Sequence, residues 1–232
     1  MDYFDCATCD YVQTEQPTWL KHAYSSAINT VDTGILWRNQ LNVRRVIMTL
    51  LALGKLKGLV LDHAGGYGIL VRMLRDAGVD ARWRDKYCEN LLARGFEADD
   101  GGADLVTAFE VFEHLEHPLV ELRRLLETSP AVLISTELAP TDGVVPNWWY
   151  LGSEHGQHIG FFRHATLHYM AEQLACQLAT DGRSLHLFST RPIPTAWHIL
   201  NLGKPLSGLV TRLAGLKSRT MQDFDLLRRR SP

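Results

Sequence analysis

A chain of 232 residues, 46 % hydrophobic and 22 % charged, has apolar material for one sizeable α/β core and does not demand two independent domains. Its 24 basic and 26 acidic residues leave a net charge of −2, which gives no general attraction to a phosphate backbone and argues against a nucleic-acid partner. The longest mostly apolar run, Val46 to Leu53, is too short to cross a bilayer, so stable membrane insertion is not expected. The start, Met1-Asp-Tyr-Phe-Asp-Cys6-Ala-Thr-Cys9-Asp, is polar and acidic rather than a secretory leader, and with only four cysteines the expected setting is the reducing cytoplasm.

Residues 1–36 are aromatic and aperiodic and read as a cap or lid. From Arg38 to Leu53 the apolar positions Leu41, Val46, Ile47, Leu50 and Leu53 recur at three-to-four spacing, which predicts a helix ended by Gly54. A strand follows at Leu59–Asp62, then a helix from Ile69 to about Ala77 closed by Gly78, then a short strand at Ala81–Arg84. Ala103–Phe109 is the next apolar strand. Pro118 suits a first helical turn, and Leu119, Leu122, Leu125 and Leu126 give that helix a buried stripe. A strand is expected at Ala131–Thr136, a helix at Thr166–Leu178 and a last strand at Ser184–Ser189. Residues 191–232 look partly helical and end in the basic run Arg228–Arg230, read as a solvated helix end.

Strands alternating with helices imply an α/β fold with a doubly wound, mostly parallel sheet of the seven-stranded, Rossmann-like type. We divide the chain into a helical N-terminal cap (1–55), a core (56–190) and a helical C-terminal extension (191–232). Ligands of such sheets bind at the carboxyl ends of the strands, so Asp62, Asp85 and Glu110 belong to one rim.

The most telling segment is Leu59-Val-Leu-Asp62-His-Ala64-Gly65-Gly66-Tyr-Gly68, a strand, a glycine turn and the start of a helix. The glycines allow a sharp turn and let a ligand lie on bare main chain. A dinucleotide fingerprint needs a third small residue where Val71 stands. An acid ahead of the glycines repels phosphate and suits a cationic, amino-acid-bearing cofactor, which points to S-adenosylmethionine. Asp85, at the end of the next strand, can accept the two hydroxyls of a ribose.

In these residues and in Ala103-Asp-Leu-Val-Thr-Ala-Phe-Glu110-Val-Phe-Glu113-His114, the chain resembles the class I S-adenosylmethionine-dependent methyltransferases over roughly residues 56–190. Tyr24-Ser-Ser-Ala-Ile, Asp32-Thr-Gly, Arg38-Asn, Trp148-Trp-Tyr150 and Gly156-Gln-His158 resemble, more narrowly, a bacterial branch that modifies capsule, lipopolysaccharide or sugar. One departure is Ala64, where that family has glycine.

The resemblance implies cofactor-binding roles for each residue in turn. Asp62 helps hold the amino-acid end of the cofactor over Gly65, Gly66 and Gly68; Asp85 takes the ribose; Lys86 and Tyr87 border the adenine. Glu110 lines the methionine end, while Tyr24 and Arg38 close the lid.

Methyl transfer to a hydroxyl, amine or carbon acid also needs a proton removed, a roughly 10²–10⁴-fold contribution from a placed base. His114 and His158 are the candidate bases, with Glu113 to orient them; the reading of Glu113-His114 as a helix-capping pair stands beside it. His117, His155, His164 and His168 read as surface residues. Glu110-x-x-Glu113-His114 with a downstream histidine also resembles the metal pattern of small-RNA 3′-terminal 2′-O-methyltransferases and ubiquinone-pathway O-methyltransferases, so a divalent metal is carried as a second, less favoured cofactor, and its ligand set is left unknown. Cys6-x-x-Cys9 is half of a zinc knuckle. Trp148, Trp149 and Tyr150 are placed to stack on a sugar or flat acceptor.

The reading is thus an S-adenosylmethionine-dependent methyltransferase acting on a small-molecule or sugar acceptor, with O-methylation favoured. A nucleotide-sugar C-methyltransferase and a non-catalytic cofactor-binding scaffold are the alternatives. The oligomeric state is not legible.

Overall fold

The computed structural model describes residues 2–20, 32–141, 148–152, 156–202, 212 and 215–230. Strands β1 (Tyr3–Asp5) and β2 (Val12–Thr14) precede helix α1 (Ile35–Ala52), strand β3 (Leu59–His63), helix α2 (Ile69–Asp76), strand β4 (Asp80–Arg84) and strand β5 (Leu105–Phe109). Helix α3 (Pro118–Thr128), strand β6 (Ala131–Ser135), strand β7 (Gly160–Phe161), helix α4 (His164–Gln173), strands β8 (Gln177–Thr180) and β9 (Leu185–Ser189), and helices α5 (Ala196–Leu202) and α6 (Thr220–Arg230) complete the chain.

The main sheet has six strands in the order β4-β3-β5-β6-β9-β8. β3 pairs in parallel with β4 and β5, whereas β9 runs antiparallel to both β6 and β8, so the Rossmann-like sheet is mixed. An isolated parallel bridge from Trp83 to Glu97 stands at the β4 edge, where a seventh strand would lie. Every residue of β6 and β9 is buried, the mark of interior strands covered on both faces. No helix among the described residues is long and apolar enough to cross a membrane.

Two compact units divide the chain. One comprises residues 1–31 with 108–193, the other residues 32–107 with 194–232, so that the unit boundary falls within β5.

In the first unit, β1 and β2 form an antiparallel hairpin that β7 extends into a three-stranded sheet. Val12, Ala139, Tyr150, Leu151 and Phe161 form its apolar centre. The first twenty residues therefore begin with strands where the sequence shows no period, and the helical part of the expected cap is α1. The helix expected over Thr166–Leu178 is also shorter: α4 stops at Gln173, Ala175 takes a left-handed φ of 48°, and the chain re-enters the sheet as β8. Leu174 and Leu178 satisfy either period, which is why a short apolar run misleads.

In the second unit, α2 is fixed to the C-terminal α6 by a buried ion pair. Arg75, 3 % exposed, donates from Nε and Nη2 to both oxygens of Asp223, itself 2 % exposed, at 2.8 and 2.7 Å. Arg75 Nη1 also reaches Asp80 and the Ala81 carbonyl, and its guanidinium lies 3.7 Å above the Phe96 ring. Burial opposes the charges, but the paired hydrogen bonds win: the Asp223 carboxyl is held below its ordinary range and the Arg75 pKa above its own. Truncating one partner strands the other charge. Asp223→Ala is expected to cost about 3 kcal/mol or more in urea unfolding, and the loss should exceed that of Arg72→Ala, whose own side chain is 24 % exposed.

Candidate active site

The carboxyl end of β3 carries a cradle built within the second unit. Asp62 pairs in register with Thr107 of β5, whose hydroxyl donates to Asp62 Oδ1 at 2.7 Å. Asp62 is 4 % exposed, and burial raises its carboxyl to about 7; the Thr107 bond opposes that shift and nearby Asp85 adds to it. The expected strand end is thus a buried acid poised near neutrality.

The turn after it has no room for a side chain at Gly65 or Gly68. A Cβ on Gly65 would lie 2.8 Å from Asp62 Oδ2 and 2.9 Å from the Trp83 ring, and one on Gly68 (φ 83°) would lie 2.9 Å from Asn90 Oδ1. The Gly66 N–H donates to Asp85 Oδ2 at 2.9 Å, and its carbonyl accepts from Trp83 Nε1 at 2.8 Å. Asp85 Oδ1 takes the Tyr87 and Cys88 N–H groups at 2.7 and 2.9 Å. Three of the roughly four lone-pair sites of that carboxylate thus hold loop main chain. Asp85 clamps the glycine turn to the β4 end.

Ala64 keeps the turn in shape at a cost. It adopts φ 55°, a left-handed conformation that costs an L-residue about 1–2 kcal/mol. Lys86 and Tyr87 are exposed, with the Lys86 ammonium 5.4 Å from the Tyr87 ring centroid. Arg38, on α1, donates to Asp32 at 2.6 Å. Tyr24 lies outside the described residues.

The first unit carries the other candidates. Three residues past Thr107 in the chain, Glu110 turns at φ 55° and its N–H donates to the Ser135 hydroxyl at 3.0 Å. That hydroxyl donates in return to Glu110 Oε1. A short 3-10 turn, Phe112–His114, then presents Glu113 and His114. Glu113 is fully buried; its Oε1 accepts the Tyr150 hydroxyl at 2.7 Å, and burial raises its carboxyl to about 7.

His114 Nδ1 faces the Gln157 carbonyl at 2.9 Å, and His158 Nδ1 faces the Tyr150 carbonyl. The two imidazoles meet edge to face with centroids 4.9 Å apart, and burial lowers the His114 pKa. The first bond of Glu113 goes to Tyr150, and main-chain carbonyls orient the rings. Helix α3 has no side-chain cap at its start, which removes the capping role considered for Glu113-His114.

The structure brings Glu113, His114 and His158 together. Sequence reasoning misses Thr107, Trp83, Ser135 and the buried role of Tyr150. Thr107 had a signal, a lone polar residue in an otherwise apolar strand; Tyr150 had none. Tyr150 is 2 % exposed and does not offer a stacking face, whereas Trp149 is 72 % exposed. His117, His164 and His168 are exposed as expected, and His155 lies outside the described residues. Cys6 and Cys9 sit in the turn between β1 and β2, and among the described residues no third ligand type joins them in a cluster.

A family model for a methyltransferase domain matches residues 36–179. The chain belongs to that family. It is an S-adenosylmethionine-dependent methyltransferase. No curated protein matches its sequence. Among solved structures, this methyltransferase is similar to the magnesium protoporphyrin IX methyltransferase ChlM from Synechocystis PCC 6803 with bound S-adenosylhomocysteine, at 18 % identity and a TM-score of 0.49, covering 73 % of this chain and 92 % of that one. It is also similar to the mitomycin 7-O-methyltransferase MmcR, at 16 % identity and a TM-score of 0.47, covering 74 % and 66 %. An O-methyltransferase family 2 protein from Planctomyces limnophilus DSM 3776, in complex with apigenin, shares 15 % identity and a TM-score of 0.44, with 71 % and 67 % covered.

The cradle of this methyltransferase makes two predictions. Ala64→Gly relieves the left-handed strain and should raise stability by about 1 kcal/mol in urea unfolding; a loss would show that the turn does not take this shape. Asp62 binds its proton more tightly folded than unfolded. Its contribution to stability therefore falls as pH rises from the unfolded carboxyl value, about 4, to about 7, and is flat above. The unfolding free energy of wild type relative to Asp62→Asn should drop across that window; a constant difference would mean that Asp62 does not titrate there.

Proposed function

We propose that this methyltransferase O-methylates a hydroxyl of a small-molecule or glycan intermediate in the cytoplasm, as part of polysaccharide or related sugar modification. The observation that carries the reading is the Glu113–His114–His158 group. A carbonyl only accepts, so Nδ1 of each histidine carries the proton and the ring's lone pair lies on Nε2. Two such lone pairs beside a buried carboxylate suit the removal of a hydroxyl proton.

The cradle fits S-adenosylmethionine. Gly65 has no space for a Cβ and offers bare main chain, and Asp62 is an acid rather than a phosphate-binding group. In this reading Asp62 helps hold the amino-acid end, and Gly65, Gly66 and Gly68 let that end approach the main chain. Asp85 takes the ribose through its remaining lone pair and by exchanging loop contacts, Lys86 and Tyr87 border the adenine, and Glu110 lines the methionine end. Arg38 closes over it. When bound, the cofactor supplies a methyl group made electrophilic by its sulfonium.

The protein's own work is to orient the acceptor and take its proton. Positioning supplies much of the acceleration. The exposed Trp149 ring suits the flat face of a sugar or aromatic acceptor, and the near-neutral charge balance agrees with a small uncharged partner rather than nucleic acid.

His158→Ala and His114→Ala should each lower turnover with sugar acceptors by roughly 10²–10⁴-fold while calorimetric binding of S-adenosylhomocysteine persists. Full turnover in both variants would remove the histidines from the chemistry. Methylation at carbon would favour the nucleotide-sugar alternative, and tight cofactor binding without turnover on any acceptor would favour a scaffold.

A further inference from the structure

Helix α6 (Thr220–Arg230) carries its apolar residues on the wrong side for a core. Its rotation is set by Asp223, which turns inward to Arg75, and by Leu227, one turn on, whose side chain fills the space that Gly95 leaves. With that face inward, Met221 and Phe224, three apart and so on one side of the helix, point outward. They are 68 % and 54 % exposed. Arg228, four residues after Phe224, continues the same stripe, and the exposed Arg229 and Arg230 complete a basic end. An amphipathic helix ordinarily turns its apolar stripe to the core and its charges to water. Here a carboxylate is buried and a phenyl ring is not.

The loop that α6 touches at Gly95 repeats the pattern. Leu91 and Leu92 both give their N–H groups to the Tyr67 carbonyl, at 3.3 and 3.0 Å, and Asn90 Oδ1 accepts the Ala93 N–H at 2.9 Å. The main chain thus fixes the loop with both leucine side chains exposed, and exposed Arg94 follows them. Single apolar residues on a surface need no explanation, whereas two adjoining elements that each set apolar side chains beside arginine do.

We propose that α6, with the Leu91–Arg94 loop beside it, is a docking surface for an anionic phospholipid bilayer. Charge decides the occupant. Arg228, Arg229 and Arg230 stand against one exposed acid on the helix, Asp225, because Asp223 is taken by Arg75 and Arg72. A second copy of this chain docked through the same face brings the same arginines and returns only Asp225 to them. An anionic bilayer meets both halves of the pattern: its phosphates take the guanidiniums, and the acyl boundary takes Met221, Phe224 and the leucines. The helix lies on such a surface and does not cross it, since its 11 residues span about 16 Å of a roughly 30 Å hydrocarbon core. Docking brings the methyltransferase to acceptors carried on lipid, a use that rests on the glycan reading; the docking itself does not.

The test sediments the 232-residue chain with vesicles of phosphatidylcholine, alone or with about one-third phosphatidylglycerol. Wild type should pellet with the anionic vesicles, stay in solution with the neutral ones, and be released as salt screens the charges. Arg228→Gln/Arg229→Gln/Arg230→Gln should weaken binding roughly 100-fold, about fivefold for each charge removed. Met221→Ser/Phe224→Ser should weaken it about tenfold or more through lost apolar burial. Both variants should keep the wild-type circular dichroism, since every altered side chain is exposed. No pelleting of folded wild type with anionic vesicles, equal binding to neutral ones, or undiminished binding by either variant overturns the surface. A dimer in gel filtration that Met221→Ser/Phe224→Ser dissolves, without vesicle binding, overturns it in favour of a second copy. Sugar methylation is scored separately. Vesicle binding without it supports the surface while contradicting the glycan reading, and methylation without vesicle binding overturns the surface alone.

Discussion

The hydrogen bond from Thr107 to Asp62 is the contact on which the cradle depends. It joins β3 to β5 in register and accompanies the burial of an acid at a strand end, where most acids meet water. Once Asp62 points inward, its Oδ2 occupies the space that a side chain on Gly65 would need, and Trp83 closes the other side. Ala64 must then turn left-handed to let the chain leave the strand. Asp85 holds the next N–H, so the turn is clamped from both strands. The strain at Ala64 and the desolvation of Asp62 are costs that the fold carries for the shape of this turn, in keeping with strain collecting at functional positions.

In the other unit the corresponding hub is Tyr150. Its hydroxyl serves Glu113, its carbonyl meets His158 Nδ1, and its ring lies 4.6 Å from the His158 ring. One buried aromatic thus sets both the carboxylate and an imidazole. Glu110, at φ 55° just past β5, is drawn into the same network through its Oε2, 3.5 Å from the Tyr150 hydroxyl. Each potential base is fixed by main chain or by a buried partner, which is how a few side chains keep one geometry.

Most of the α/β core was legible because its strands and helices are long or strongly patterned: Leu59–His63, Ile69–Asp76 and Ala131–Ser135 fall where their periodicity predicts. The three-stranded sheet was not. β1, β2 and β7 are two or three residues long, and β7 comes from far along the chain, so no local period marks them. β8 was lost inside a predicted helix for the same reason. At the site, glycines and acids announce themselves by type and spacing. Thr107 and Tyr150 matter through what they touch, and a phenol in the run Trp148-Trp-Tyr150 gives no hint that it faces a buried glutamate.

The most direct measurement is calorimetric titration of S-adenosylhomocysteine into the folded 232-residue chain, beside the Gly65→Ala variant. The cradle described above predicts saturable micromolar binding by wild type, weakened at least about tenfold by a Cβ at Gly65, a loss of about 1.4 kcal/mol. Wild-type binding that Gly65→Ala leaves intact would place the cofactor elsewhere, and no binding by folded wild type would contradict the cradle as a cofactor site.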